Sequence, residues 1–342
     1  MNFRKILLLT VFCLVGLWPA FSSGGSGEEE YLRGRDYFSR GDYGKAREHF
    51  QKAVEEDPTH LLARYYLGLI EMENVKSLGR AESLLLELRK ECRRGGALPR
   101  EDFPFLVDLA LGRVYIKEGH FGEAIRTIRE AIAGAQGPVP LDEAHNLLGI
   151  ALYRQRRYRE ALVEFRRALK ENPEHGMARF NLKSLRVRLS HFQAGKAYSR
   201  MGASDEAVRE FREAISLDPR FVEARVRLGM ELVRMGKPEA ALEELMRAEK
   251  MATTEELVRE ARFLKGRALE AMGRMDEALE LFVKLVGNHP KYDPAYNEIG
   301  EILLSKGENE AARQFFIKAI QINPLTDYVR NLQKTFIRKE AR

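Results

Sequence analysis

The strongest constraint in this chain is internal repetition. The segment "GDYGKAREHFQKAVEEDPTH" (41–60) returns as "RRYREALVEFRRALKENPEH" (156–175) and as "GASDEAVREFREAISLDPRF" (202–221). Each copy carries Ala, an aromatic residue four positions on, Ala three later and Pro five after that. Self-similarity at a fixed period is the signature of a stacked array, in which each unit packs mainly on its neighbours.

The copy at 142–175 shows what one unit is. Leu148, Gly149 and Leu152 mark its first half, and Ala161, Phe165, Ala168 and Pro173 its second. Apolar residues fall at i, i+3, i+4 and i+7 in both halves, the period of a helix and not of a strand. A short break near Arg156, a position that is Gly in most copies, separates two antiparallel helices. Gly149 and Ala161 are small and let the two helices approach. Phe165 is expected to fill the space toward the next hairpin, and Pro173 to end the second helix, because it lacks a donor and clashes with the preceding turn.

This pattern resembles the tetratricopeptide repeat, with units starting at 27, 61, 105, 142, 188, 222, 259 and 293. The first-helix Gly recurs as Gly34, Gly68, Gly112, Gly149, Gly195, Gly229, Gly266 and Gly300. The small residue of the second helix recurs as Ala46, Ala81, Ala124, Ala161, Ala207, Ala241, Ala278 and Ala312. The large residue four positions later is Phe50, Leu85, Ile128, Phe165, Phe211, Leu245, Phe282 and Phe316. Prolines at 58, 173, 219, 290 and 324 close the second helices.

The resemblance implies an all-α, right-handed α-solenoid of about eight helix-turn-helix repeats with a C-terminal capping helix. The expected organisation is repeats 1–4 over 27–175, an extra helical segment or hinge at 176–187, repeats 5–8 over 188–324, and a cap at 325–342. Where the family often has Trp, this chain has Glu30, Arg64, Asp108, His145, His191, Arg225, Arg262 and Tyr296. The second unit departs further, with an insertion at "MENVKSLGR" and a long exit, "RKECRRGGALPRED".

The first residues read differently. Arg4 and Lys5 precede an apolar run from Ile6 to Phe21, and Ala20 and Ser22 stand at −3 and −1 of a cleavage point before Ser23. Residues 1–22 therefore read as an export signal, with a retained inner-membrane anchor as the competing reading; 23–30 is a polar tether. Beyond the signal, 55 Lys and Arg stand against 51 Asp and Glu, too mild a balance to argue for nucleic acid. Cys92 alone remains there, so no intramolecular disulfide framework is expected. The absence of Asn-x-Ser/Thr sequons fits a bacterial periplasm or a secreted bacterial protein.

No nucleophile, metal or phosphate-loop motif is present, and the seven histidines include no i, i+4 pair. The expectation is a chain that is not an enzyme and needs no catalytic, cofactor-binding or metal residues. His145 and His191 are expected to be packing residues.

The resemblance places partner contacts on the first helices, at the second, fifth, ninth, twelfth and thirteenth positions of each unit. The expected partner-binding groove comprises Arg113, Lys117, Asn146, Tyr153, Arg154, Phe192, Lys196, Arg200, Arg234 and Arg267. Arg forks bind carboxylates bidentately and aromatic rings add apolar area, so the expected ligand is a protein or peptide with acidic segments. Glu28, Glu73, Glu143, Glu223, Glu260, Glu270 and Glu301 also fall on groove positions and make the lining mixed. The leading functional reading is a non-enzymatic scaffold in envelope assembly, secretion or polysaccharide export. A periplasmic chaperone-like binder of unfolded peptides and an accessory subunit of an envelope enzyme are the alternatives. Membrane contact is expected only through an uncleaved N-terminus.

Overall fold

A computed structural model describes residues 27–95 and 97–337; the proposed export signal and residues 338–342 lie outside them. The described residues form seventeen α-helices and no strand. The fold class is the expected all-α solenoid of helix-turn-helix repeats.

The helices fall into two compact units, Met1–Leu185 and Arg186–Arg342. The first holds four hairpins. They are α1 (Glu28–Ser39) with α2 (Tyr43–Glu56), α3 (Leu61–Glu71) with α4 (Leu78–Arg93), α5 (Phe103–Glu118) with α6 (Phe121–Ala133), and α7 (Leu141–Arg154) with α8 (Tyr158–Glu171). Next comes a single 25-residue helix, α9 (Gly176–Arg200), within which the division falls. The second unit continues with α10 (Ser204–Leu217), α11 (Val222–Arg234), α12 (Pro238–Met251), α13 (Glu255–Ala271), α14 (Met275–Asn288), α15 (Asp293–Ser305), α16 (Asn309–Ile322) and the closing α17 (Thr326–Ile337).

One contact explains the repeated residues. A methyl group placed on Gly149 of α7 would stand 2.6 Å from the Phe165 ring of α8, so only glycine lets this helix pair close. Every hairpin repeats the arrangement with Phe, Leu or Ile as the large partner, and all eight of the small alanines are fully buried. The Phe165 ring lies on the Gly of its own hairpin. Phe50 sits on Gly34 and also stacks on Tyr66 of the following hairpin at 5.0 Å.

Helix ends follow local chemistry. α2, α8, α10, α14 and α16 each stop two residues before their proline. Most hairpin turns place Gly in the left-handed region, at Gly41, Gly119, Gly202, Gly236, Gly273 and Gly307. Arg156 occupies the same turn with φ 63°, the one non-glycine residue at positive φ among the described residues.

Some boundaries shift. α1 begins at Glu28, taking the last three residues of the expected tether, and the three glutamates there complement the positive helix start. α13 begins at Glu255, earlier than the repeat frame, because the Thr254 hydroxyl accepts from Leu257 N at 3.4 Å. The insertion in the second unit forms a 3₁₀ turn, Val75–Ser77.

Candidate functional site

First helices of consecutive hairpins touch one another: α5 meets α7 in the first unit, and α11 meets α13 and α15 meets α17 in the second. The expected partner-binding residues lie on α5, α7, α11 and α13 and on the C-terminal part of α9, and each unit presents its own.

In the first unit, most of the expected cations are already engaged. Arg113 is buried, and its Nη2 donates to Glu143 Oε1 at 2.8 Å. Burial opposes ionisation of Glu143, yet Arg113 and the His175 ring, 3.0 Å from its other oxygen, hold this carboxyl below its usual range. Bonding to Glu143 in turn raises the His175 imidazole, against its burial. Lys117 donates from Nζ to Met72 O at 2.8 Å and to Glu73 at 3.1 Å. Asn146 is buried and accepts from Asn181 Nδ2 at 3.0 Å. Tyr153 is half-buried, its ring 5.7 Å from that of Tyr158. Arg154 is exposed and, among the described residues, has no carboxylate within ion-pair distance.

In the second unit, Phe192 packs into the core between Phe211 and Phe221, and Lys196 lies 5.7 Å over its ring. Arg200 ends α9, exposed, with no ion pair among the described residues. Arg234 donates to Glu231 at 3.0 Å, and Glu231 itself is fully buried, accepting from the hydroxyls of Ser199 at 2.6 Å and Ser204 at 2.9 Å. Arg267 reaches Glu298 at 3.2 Å and Glu270 at 3.5 Å. Arg154, Lys196 and Arg200 are thus the members of the expected basic set that no acidic side chain occupies among the described residues.

Sequence reasoning passed over two features. All seven polar residues at the position often held by Trp pair with an acidic, basic or histidine side chain. Glu30 meets His49 at 2.8 Å, His145 meets Glu164 at 2.7 Å, His191 meets Glu210 at 2.8 Å, and Arg225 meets Glu244, always 19 residues apart. Arg64 pairs with Glu87 and Glu91, Asp108 with Arg89, and Arg262 with Glu249. His145 and His191 therefore each bond a glutamate of the second helix of their own hairpin, and the 19-residue recurrence was the signal that could have found this.

The other feature is acidic. Glu270 on α13 and Glu298 on α15 share Arg267 as ion-pair partner, and Glu301 of α15 accepts from Asn297 and Asn331. Burial first, and the neighbouring carboxylates next, push Glu270 up to about 8. Burial, aided by Glu301 and opposed by Arg267, pushes Glu298 up to about 7.

Among the described residues no three His, Cys, Asp or Glu side chains are placed to hold a metal ion, and no helix is long and apolar enough to cross a membrane. Cys92 is half-buried; burial, then Asp108, pushes its thiol up to about 11, far from a reactive thiolate.

Profiles described as tetratricopeptide repeat match residues 28–60, 109–138, 142–175, 190–221, 226–293 and 269–334. Among curated proteins, the chain is 27% identical over 186 residues to tetratricopeptide repeat protein 6 of Homo sapiens, covering 53% of this chain and 32% of that one. It is 23% identical to Hsp70-Hsp90 organizing protein 3 of Arabidopsis thaliana, covering 63% and 41%. The chain thus spans about a third to two-fifths of the length of these relatives. Among solved structures, the APC/C hetero-tetramer Cut9-Hcn1 is similar over 97% of this chain and 81% of that one, at 14% identity and a TM-score of 0.42. Matched repeat by repeat along most of its length, and built of hairpins closed on the same Gly–large-residue contact, this chain belongs to the tetratricopeptide-repeat family.

Proposed function

We infer that this chain is a scaffold or adaptor of the bacterial cell envelope that holds acidic segments of partner proteins on its first-helix faces. The coarser part, a protein-interaction scaffold, follows from membership of the repeat family. The finer part rests on one observation: Arg154, Lys196 and Arg200 stand on those faces without a carboxylate partner among the described residues, while the other expected cations are neutralised from within. A guanidinium presented this way fits an incoming carboxylate with two parallel hydrogen bonds. A relative named as an organizer of Hsp70 and Hsp90 is in keeping with a gathering role. Export to the periplasm rests on the N-terminal signal pattern alone, and an uncleaved signal would tether the same scaffold to the inner membrane.

The test is binding of an acidic peptide pool at low and moderate salt, since exposed pairing weakens within a Debye length of about 10 Å at 0.1 M. The double variant Arg154→Glu with Arg200→Glu should abolish it. Unchanged binding would remove the basic-face assignment. Affinity capture from envelope extract separates the adaptor from a chaperone: an adaptor returns one or two stoichiometric partners, a chaperone many substoichiometric ones.

A further inference from the structure

Among the described residues, α17 is a first helix without a second. It packs on α15 and α16, and its buried Tyr328 and Thr335 take the places that Ala295 and Ile302 have in α15. Counted from those anchors, Val329, Leu332, Gln333 and Phe336 correspond to Tyr296, Ile299, Gly300 and Leu303 of α15. In α15 all four are buried, and the second helix of the hairpin, α16, lays its Phe316 ring on Gly300. In α17 the same face is open: 39% of Val329 and 53% of Phe336 remain exposed, and Leu325, one turn earlier, extends the stripe.

The opening turns of α9 are the internal control, since they too form a first helix with no second helix of their own. Asn181 of α9 bonds Asn146 as Asn331 of α17 bonds Asn297, which fixes the correspondence. The residues matching the open face of α17 are then Arg179, Leu182, Lys183 and Arg186, and all three cations are exposed. The end of a solenoid needs a polar outer face to stay soluble. α9 supplies that polarity at the two positions where α17 carries Val329 and Phe336.

We propose that the open face of α17 docks an amphipathic helix of a partner protein, which completes a ninth hairpin in place of the missing second helix. The surface is the inner face of a hairpin and not the first-helix surface assigned to acidic segments, so the inference stands apart from that reading. The eight hairpins of this chain specify the apolar side of the occupant: a small residue, then a large one four positions on. Charge selects a partner over a second copy. Arg330 and Lys334 are exposed along one edge, Asp327 is the single carboxylate of α17, and the Arg313 guanidinium of α16 lies 4.3 Å over the Phe336 ring. Two copies of α17 paired antiparallel, as hairpin helices are, would set Arg330 beside Lys334 of the copy, and like charges repel. A helix edged with carboxylates meets the same cations favourably. Gln333 stands where complete hairpins have Gly, so the docked helix sits farther out than a permanent one and can leave.

The experiment uses the full chain and a labelled, stapled peptide with the sequence of residues 203–217. This is the α10 second helix, which carries Ala207 and Phe211 among Asp205, Glu206, Glu210 and Glu213. The staple holds a helix too short to persist alone. The peptide should bind, and its Phe211→Ser form should not. Val329→Arg with Phe336→Arg gives α17 the side chains that α9 carries, and should weaken binding about tenfold or more despite the added positive charge. No binding, or binding that this double variant leaves unchanged, overturns the inference. Arg154→Glu with Arg200→Glu should leave the peptide bound. If that pair abolishes binding and the α17 pair does not, the peptide sits on the first-helix face, the first-helix reading stands and this inference fails. Sedimentation velocity of the full chain alone should be the same for the parent and the α17 double variant. Self-association that the double variant abolishes would make a second copy the occupant and overturn the proposal. Far-ultraviolet circular dichroism melts establish that each variant is folded.

Discussion

The two units close in the same way but balance their charges differently. At the end of the first, Asn172 Nδ2 donates to Asp142 at 2.8 Å and Asn181 to Asn146 at 3.0 Å. At the end of the second, Asn323 donates to Asp293 at 3.2 Å and Asn331 to Asn297 at 2.9 Å. Arg188 and Asp218 make the first of these contacts with donor and acceptor exchanged, at 2.9 Å. Between those fixed points the first unit buries a compensated set, Arg113, Glu143 and His175, where the second leaves Glu270 and Glu298 crowded. Hairpin geometry dictates the closing residues; the first-helix positions beside them are left open to whatever a partner requires.

The largest effects should be alike in the two units, because the packing is. Phe165→Ala and Phe282→Ala each empty a site closed over a glycine and should cost about 3–5 kcal/mol. Hydrogen exchange should show protection lost chiefly in the mutated unit; equal loss in both would mean that the division at Leu185 has no energetic meaning. Arg113→Ala comes next, at about 3 kcal/mol by chemical denaturation, because it strips a buried carboxylate of its guanidinium. A cost below about 1 kcal/mol would show that His175 compensates Glu143 unaided.

The frame was legible in the sequence because it recurs. The Gly149–Phe165 and Gly266–Phe282 contacts follow from one steric rule written eight times, and the prolines end their helices at a constant offset. The first-helix surface was read only in part. Residue type and position located Arg113 and Arg267, but whether a guanidinium is free depends on a carboxylate some thirty residues away: Glu143 for the one, Glu298 for the other. Helical periodicity carries no information about that pairing. The raised carboxyls were hidden for a related reason, since desolvation is a property of the packed surface and not of the residue.

pH should separate the units. Glu270, raised to about 8, makes the folded second unit bind a proton that the unfolded chain has already released, so its stability falls as pH rises through 8. Glu270→Gln should gain about 1–2 kcal/mol at pH 8.5, one pKa unit being worth about 1.4 kcal/mol, and gain little at pH 4. In the first unit the depressed Glu143 stabilises at neutral pH and loses its contribution as pH falls through its folded value. The raised His175 contributes at low pH and loses that as pH climbs past its own. Unit-resolved hydrogen exchange across pH 4–9 reads both trends, and parallel profiles would erase the distinction between the units.

The hairpin turns contrast as well. All four turns of the second unit carry Gly at positive φ, at Gly202, Gly236, Gly273 and Gly307, whereas the fourth turn of the first unit carries Arg156. A side chain in the left-handed region costs about 1–2 kcal/mol, so Arg156→Gly should raise stability by up to about 1 kcal/mol, the greater freedom of glycine in the unfolded chain taking back the rest. A loss of stability would mean that the contacts of the Arg156 side chain outweigh its backbone strain.

The smallest effect is the most pointed. Arg113 and Arg154, at the ninth and thirteenth positions of their units, are both expected to contact a partner, and the fold gave one a buried carboxylate and the other open solvent. Arg154→Ala removes no packed atom and breaks no ion pair among the described residues, so its stability should stay within about 0.5 kcal/mol of the parent. A partner bound through this face should nonetheless be lost, whereas Arg113→Ala should lose binding only in proportion to the unfolding it causes. Melting curves and partner titrations on the two variants therefore cross: the variant with the intact fold is the one that fails to bind. If Arg154→Ala proves as destabilising as Arg113→Ala, the two residues share one structural role and the first-helix face of the first unit is a structural surface like any other.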